Sequence, residues 1–290
     1  MIKHLLVSLA LFIVGNAAIA QVADTFAYDP WPGDIRVSQV DEKHFADVTR
    51  QQLFLSVPFA ESIPFYLAFP TNRKVTTVVL LLHGITSSKD IWWQGSGPYS
   101  KVREYREALL AAGYAVVAID SRFHGQRSHL AGYRSPRDLA TENKPHALRD
   151  QVVGSVIDFR RVIDYLQTRD EFADANFGSL GISLGAIHSI ALAAADDRIA
   201  FTVPIFPPPK APAPAWQVFP MGIASHTNTD TLLLLADQDE YYTLTEGKAL
   251  FASFASANKQ LMVLNSKHDP DITKAPEVLH WIENRDVLAN

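Results

Sequence analysis

The sequence predicts an α/β fold, a mostly parallel central sheet with helices on both faces. Two observations predict it. Short continuous apolar runs at 75–82, 114–119, 177–182, 199–206, 231–235 and 260–264 alternate with longer stretches of helical periodicity. Unbroken apolar strands are what a sheet covered on both faces requires. The residues with reactive side chains also follow the ends of these runs: His83, Ser183, Asp237 with Asp239, and His268. In a parallel sheet the carboxyl ends share one edge, and ligands bind there.

The chain has 290 residues, 48% of them apolar, enough for one large α/β domain at 21–290 with a sizeable core. Net charge is −5, and no basic run or stripe points to nucleic acid. With no cysteine, the chain has no disulfide, thiol nucleophile or thiolate metal site. Residues 1–20 read as a signal peptide. Met1-Ile2-Lys3-His4 is a positive start, 5–14 is an apolar run short for a membrane span, and Ala18-Ile19-Ala20 is a cleavage pattern. Export to the periplasm or beyond, starting at Gln21 and leaving no stable membrane span, is therefore expected. An N-terminal membrane anchor is the alternative.

In chain order, 24–50 is polar and mixed, with Trp31-Pro32-Gly33 as a turn, and reads as a surface-running arm. Segments 52–59 and 64–69 read as an antiparallel hairpin at the sheet edge. The buried strand 75–82 ends in His83-Gly84-Ile85-Thr86. Trp92 and Trp93 follow, either walling an apolar pocket or packing over the sheet. Segment 99–112 is helical and stops at Gly113, and 114–119 is the next strand. The loop from Asp120 to Lys144 holds Arg127, Arg134 and Arg137. It is either a solvated loop or a basic rim for an acidic substrate.

A long helix over 146–167 precedes the serine strand. After 199–206, prolines at 207, 208, 209, 212 and 214 rule out a central strand or helix interior. The stretch 207–230 is either a short partial lid or a stiff packed connector. Strand 231–235, helix 244–257, strand 260–264 and a last amphipathic helix around Val278, Leu279, Trp281 and Ile282 complete the chain.

Phe177 to Ala186 reads as a buried strand turning sharply into an Ala-rich helix, with Ser183 at the turn inside Gly181-Ile182-Ser183-Leu184-Gly185. Glycines two residues either side of the serine let strand and helix pass close. The Leu184 N–H would face the same space as the Ser183 hydroxyl. A serine hydroxyl needs a base within hydrogen-bond reach, and the base needs a third group to fix its tautomer. Strand ends supply both, in the order Ser183, then Asp237 or Asp239, then His268.

That order and placement resemble the α/β-hydrolase superfamily, its serine esterases and dienelactone hydrolases, from Val75 onward. The resemblance also includes His83-Gly84 and the Asp120-Ser121-Arg122-Phe123-His124-Gly125 loop. It implies Ser183 as nucleophile, His268 as general base and acid, and Asp239 as orienting acid, since Ala236-Asp237-Gln238-Asp239 fits a Gly-x-x-Asp frame with Ala for Gly. It implies Leu184 and Ile85 N–H groups as an oxyanion hole. Ile-Thr in place of further glycines leaves Thr86 N–H possible. Asp237 is expected to tie the loop backbone instead, a habit of Asp in turns.

His124 is the rival base, but it precedes Ser183. His83 is expected to hold its loop by hydrogen bonding, His188 to be a satisfied helix histidine, and His280 to be a surface or packing residue. No ligand spacing suggests a metal, and no cofactor is required. The expected activity is hydrolysis of a small-molecule carboxylic ester through an acyl-serine. A serine peptidase or amidase, or a non-catalytic binding protein of this fold, is the alternative.

Overall fold

The computed structural model describes residues 24–29, 35–57, 61–132 and 136–288. The expected signal peptide, the Trp31-Pro32-Gly33 turn and Arg134 lie outside them. Among the described residues nine strands form one sheet: β1 (Val37–Phe45), β2 (Val48–Leu55), β3 (Ile63–Pro70), β4 (Thr77–Leu82), β5 (Ala115–Ile119), β6 (Asn176–Ile182), β7 (Ile199–Ile205), β8 (Asp230–Ala236) and β9 (Lys259–Leu264). Their spatial order is β1-β2-β3-β5-β4-β6-β7-β8-β9. From β5 to β9 every neighbouring pair is parallel, and β1, β2 and β3 add antiparallel at one side.

Five long helices cover the sheet: α1 (Arg103–Ala112), α2 (Pro145–Gln167), α3 (Leu184–Ala195), α4 (Leu244–Ser253) and α5 (Ala275–Leu288). The strand β4 shows why its sequence is continuously apolar. Val78, Leu80 and Leu82 pack in one core with Val152, Val156 and Phe159 of α2, Ile187 of α3 and Leu250 of α4. Val79 and Leu81 point the other way, into a second core with Tyr105 and Leu109 of α1 and Val278, Trp281 and Ile282 of α5. Local signals close the helices. Pro145 opens α2, and Thr243 with Glu246 forms a capping box on α4.

Three expectations are corrected. Residues 37–45 are not a surface arm but the edge strand β1, so the β2–β3 hairpin lies one strand in from the edge. The strand is mostly exposed and carries Asp41, Glu42 and Lys43, charges that keep an open edge from pairing with another chain. Arg127 forms no basic rim: it is buried, and its Nη2 donates to Asp158 Oδ2 at 2.8 Å. Arg137 is exposed. Trp92 is wholly buried in the α1–α5 core and Trp93 packs edge-on against Tyr66, so both serve packing. Within the 207–230 stretch, Ala215, Val218, Phe219, Ile223 and Ala224 are buried in the core against α2 and α3, while Trp216 and Met221 are exposed.

The chain leaves β4 for β5 on one side, and β6 lies on β4's other side. The connections from these neighbours run over opposite faces, through α1 after β4 and α3 after β6. A crevice opens outside their carboxyl ends, where the order reverses. The loops beginning at His83 and at Ser183 bound that crevice.

Candidate active site

Between Phe177 and Ala193 every residue is buried except Ser183, which is half-buried. Its backbone sits at φ 57°, ψ −112°, a conformation that an L-residue holds only when its surroundings force it. The Ser183 N–H donates to Ile205 O on β7 at 2.8 Å, and the Ser183 carbonyl accepts from Ala186 and Ile187 in the first turn of α3. The flanking glycines allow this crowding. A Cβ on Gly181 would lie 2.0 Å from Gly185 O, and one on Gly185 would lie 2.0 Å from Leu82 O. Both obstacles are backbone, so no side-chain rearrangement relieves them. A Cβ on Gly84 would stand 3.8 Å from the Ser183 Cβ, which puts the His83-Gly84 loop directly against the serine.

Two peptide planes of that loop are pinned. The Gly84 carbonyl accepts from His83 Nδ1 at 2.9 Å, from Ser87 Oγ at 3.1 Å and from Ser87 N at 3.2 Å. A trans peptide directs its N–H opposite its C=O, so these three donors fix the direction of the Ile85 N–H. The Ile85 carbonyl lies 3.0 Å from His124 Nε2, which fixes the Thr86 N–H in the same way. The His83 tautomer follows from its partners. Ser121 N–H donates to Nε2 at 3.1 Å, so the proton is on Nδ1 and the ring is neutral. Burial pushes His83 down to about 4, in keeping with that state.

His124 is not placed as a base. It is buried, with Nδ1 2.9 Å from Arg122 O and Nε2 3.0 Å from Ile85 O. Burial pushes it down to about 3, although each carbonyl favours a proton on the ring. His188 lies buried between Ser121 Oγ and Gln151 Oε1, held well below its ordinary value by burial. His280 is exposed and contacts Asn284.

After β8 and β9 the two remaining groups meet. His268 Nδ1 lies 2.7 Å from Asp239 Oδ2, with the Asp239 side chain fully buried and that of His268 nearly so. Asp239 Oδ1 accepts from Tyr241 N at 2.8 Å, so both carboxylate oxygens are committed. Asp237 does not reach His268. Its Oδ1 accepts from Ser266 N at 3.1 Å and ties the two loops together. Burial, with Asp239 adding to it, holds the neighbouring Tyr242 phenol well above its ordinary value.

His268 Nε2 is buried and makes no hydrogen bond, so the structure does not close a Ser183–His268 bond. The serine and histidine are linked through β7. Ser183 N–H bonds Ile205, and the next residue, Phe206, sets its ring 5.7 Å from the imidazole.

Four further residues shape this region, and no local sequence signal marked them. Glu240 accepts from His268 N at 3.1 Å. Phe206 and Tyr241 flank the imidazole. Asp271 accepts from Tyr99 N at 2.8 Å and Lys101 N at 2.9 Å, which clamps the histidine loop to the segment leading into α1. Beneath the His124 loop, Asp120 is wholly buried with Lys89, whose Nζ donates to it at 3.0 Å.

Comparison with known proteins places this geometry in context. The model of the alpha/beta hydrolase family matches residues 79–287. The curated quorum-quenching protein AidA of Acinetobacter baumannii (strain MDR-ZJ06) is 22% identical over 202 residues. That match covers 69% of this chain and 56% of the relative, so the chain spans about half the length of that protein. Acetyl xylan esterase 1 from Thermoanaerobacterium sp. JW/SL YS485 superposes with a TM-score of 0.67 at 16% identity, covering 95% of this chain and 93% of that one. A cold-adapted esterase from an Arctic intertidal metagenomic library gives 0.63 at 20% identity, covering 86% and 96%. At such identities the structural likeness is one of fold.

Proposed function

The chain belongs to the alpha/beta hydrolase family, and from that premise we propose that it is an exported serine hydrolase that cleaves a small-molecule carboxylic ester. The observation that carries the reading is the pairing at His268. With Nδ1 tied to a buried Asp239, the ring presents a bare, buried Nε2 at the sheet edge that holds the elbow serine. A carboxylate on Nδ1–H keeps Nε2 the basic nitrogen and stabilises the imidazolium that forms when it takes a proton.

His268 Nε2 takes the Ser183 proton as Oγ attacks the ester carbonyl. The oxyanion of the tetrahedral intermediate accepts from Leu184 N–H, at the start of α3, and from Ile85 N–H, held by the pinned Gly84 carbonyl. Collapse breaks the ester C–O bond, and the leaving oxygen receives the proton from His268. Water then enters and loses a proton to His268 as it attacks the acyl carbonyl; the acyl–Oγ bond breaks, the acid leaves, and His268 returns that proton to Ser183 Oγ. Apart from that water, each step uses only groups of this chain. The bare Nε2 is consistent with this, since catalytic hydrogen bonds are often long in the free enzyme and tighten in the Michaelis complex. The esterases among the structural relatives favour an ester as the substrate.

The test is labelling by a fluorophosphonate. Ser183 should be the labelled residue, and Ser183→Ala should lose both the label and turnover, by at least about a thousandfold in kcat. Turnover unchanged in that variant places the nucleophile elsewhere. Export is read by intact mass of the secreted chain, which should begin at Gln21; a membrane-held chain retaining Met1 refutes it.

A further inference from the structure

We propose that Glu240 is a positioning residue for the base: it takes the main-chain N–H of His268, as Asp239 takes the ring, and so fixes where the imidazole carries its reactive nitrogen. The proposal rests on the ester-hydrolase reading above and deepens it, naming a residue that acts through His268.

The loops after β8 and β9 join in a way that assigns this role. The two strands run parallel, and their last paired residues are Ala236 and Leu264. Beyond them the pairing continues one residue at a time. Asp237 N donates to Leu264 O at 3.0 Å, and Asp237 Oδ1 accepts from Ser266 N at 3.1 Å. Gln238 N donates to Ser266 O at 2.9 Å, and its Nε2 donates to Asn265 Oδ1 at 2.7 Å. Asp239 Oδ2 meets His268 Nδ1 at 2.7 Å, and Glu240 Oε2 accepts from His268 N at 3.1 Å. Consecutive carboxylates thus hold one histidine at both of its ends. Further on, Asp271 is bound to Tyr99 N and Lys101 N in the segment before α1. Glu240 therefore holds the histidine before the chain crosses to that segment.

The two holds do different things. The Asp239 bond sets one ring atom, and the ring can still pivot about it. Nε2 lies across the ring from that pivot, so a small swing displaces it. Fixing the main chain at the other end of the side chain removes the swing. The need is strict, because a catalytic group works only when held within about 0.5 Å of its productive place. The other Glu240 oxygen, Oε1, lies 3.7 Å from Lys267 Nζ, an exposed pair that contributes little by itself. The bond from His268 N is the main reason the Glu240 carboxyl lies below its usual range. Glu240 is therefore charged at neutral pH, and its bond to the N–H is charge-assisted.

The test measures fluorophosphonate labelling of Ser183 together with kcat and KM for 4-nitrophenyl acetate. Glu240→Ala should lower kcat and the labelling rate together by about ten- to a hundredfold, with KM within about twofold, as a displaced catalytic group does. Glu240→Gln keeps an acceptor oxygen at the same reach and should restore most of that loss. Lys267→Ala should leave both rates near wild type. The substituted side chains are exposed, so the melting midpoints should stay close to wild type. On a His268→Ala background, Glu240→Ala should slow labelling no further, because it acts through the imidazole. Wild-type rates in Glu240→Ala overturn the proposal, as does a Glu240→Gln variant as slow as Glu240→Ala. An equal loss in Lys267→Ala overturns it by assigning the effect to the ion pair, and a further loss on the His268→Ala background overturns it by assigning the effect to the fold. A wild-type enzyme that labels at no serine and cleaves no ester overturns the ester-hydrolase reading, and this proposal with it.

Discussion

Two histidines, His83 and His188, are held neutral beneath the crevice, and this predicts a loss of stability in mild acid. His83 is pushed down to about 4 and His188 lies well below its ordinary value, in each case chiefly by burial. Each ring regains a value near 6.5 when the chain unfolds. The unfolded state therefore binds more protons than the folded one below about pH 6.5, and stability falls as pH falls through that window. At about pH 5 each neutral-held ring lowers stability by about 2 kcal/mol, and the two together by about 4 kcal/mol. That is a large share of the whole stability of an ordinary domain, about 5–15 kcal/mol. Urea unfolding followed by tryptophan fluorescence, at fixed ionic strength between about pH 7.5 and 5, reads the effect directly. Carboxylates titrate mostly below this range, so the slope reports histidine. His188→Gln should remove about one proton from the uptake on unfolding. A stability that stays level from pH 7 to pH 5, within about 1 kcal/mol, would refute the neutral assignment of these rings.

Three further predictions concern the elbow and its supports. Asp239→Asn should keep the fold and lower kcat by roughly a thousandfold or more, as a wrong tautomer does. Asp237→Asn should leave kcat near wild type and cost about 1 kcal/mol in the unfolding midpoint, and the opposite pattern would exchange the two roles. Ser183→Gly should be more stable than Ser183→Ala by about 1 kcal/mol, because relief of about 1–3 kcal/mol of backbone strain exceeds the entropy cost of glycine; equal melting curves would count against a strained elbow. Lys89→Met should destabilise by about 3–5 kcal/mol, since it leaves Asp120 buried without its cation. A melting point within a degree of wild type would show that the two backbone N–H donors on Asp120, Lys89 N at 2.9 Å and Gln126 N at 3.1 Å, suffice.

The parallel part of the sheet was legible because its signal is local. A strand covered on both faces is apolar nearly throughout, as β4 is from Val78 to Leu82, and such a run needs no partner to be recognised. The edge strand β1 has the opposite property. Its pairing with β2 is made by backbone groups, while its side chains face solvent and carry charge, so nothing in 37–45 reads as a strand. Arg127 was illegible for a related reason. An arginine is buried only where an anion meets it, and Asp158 stands 31 residues away on a helix that showed only its apolar stripe.

The same division runs through the candidate site. The elbow could be read from five residues, because strand, turn, helix and both close approaches lie within them. The choice of acid could not be read from alternation, since Asp237 and Asp239 are two apart. It turns on what each carboxylate meets. Asp237 meets the Ser266 N–H of its own loop pair, and Asp239 divides its oxygens between Tyr241 N–H and the His268 ring. That division also explains why the surroundings of the imidazole were invisible in sequence. Tyr241 looks like any loop tyrosine until Asp239 anchors its backbone, His268 arrives after β9, and Phe206 arrives after β7 to pack against the same imidazole. The elbow is specified where the chain turns once. The surroundings of His268 are specified only where three strand ends converge, so the turn is carried by a motif and the environment of the imidazole by packing.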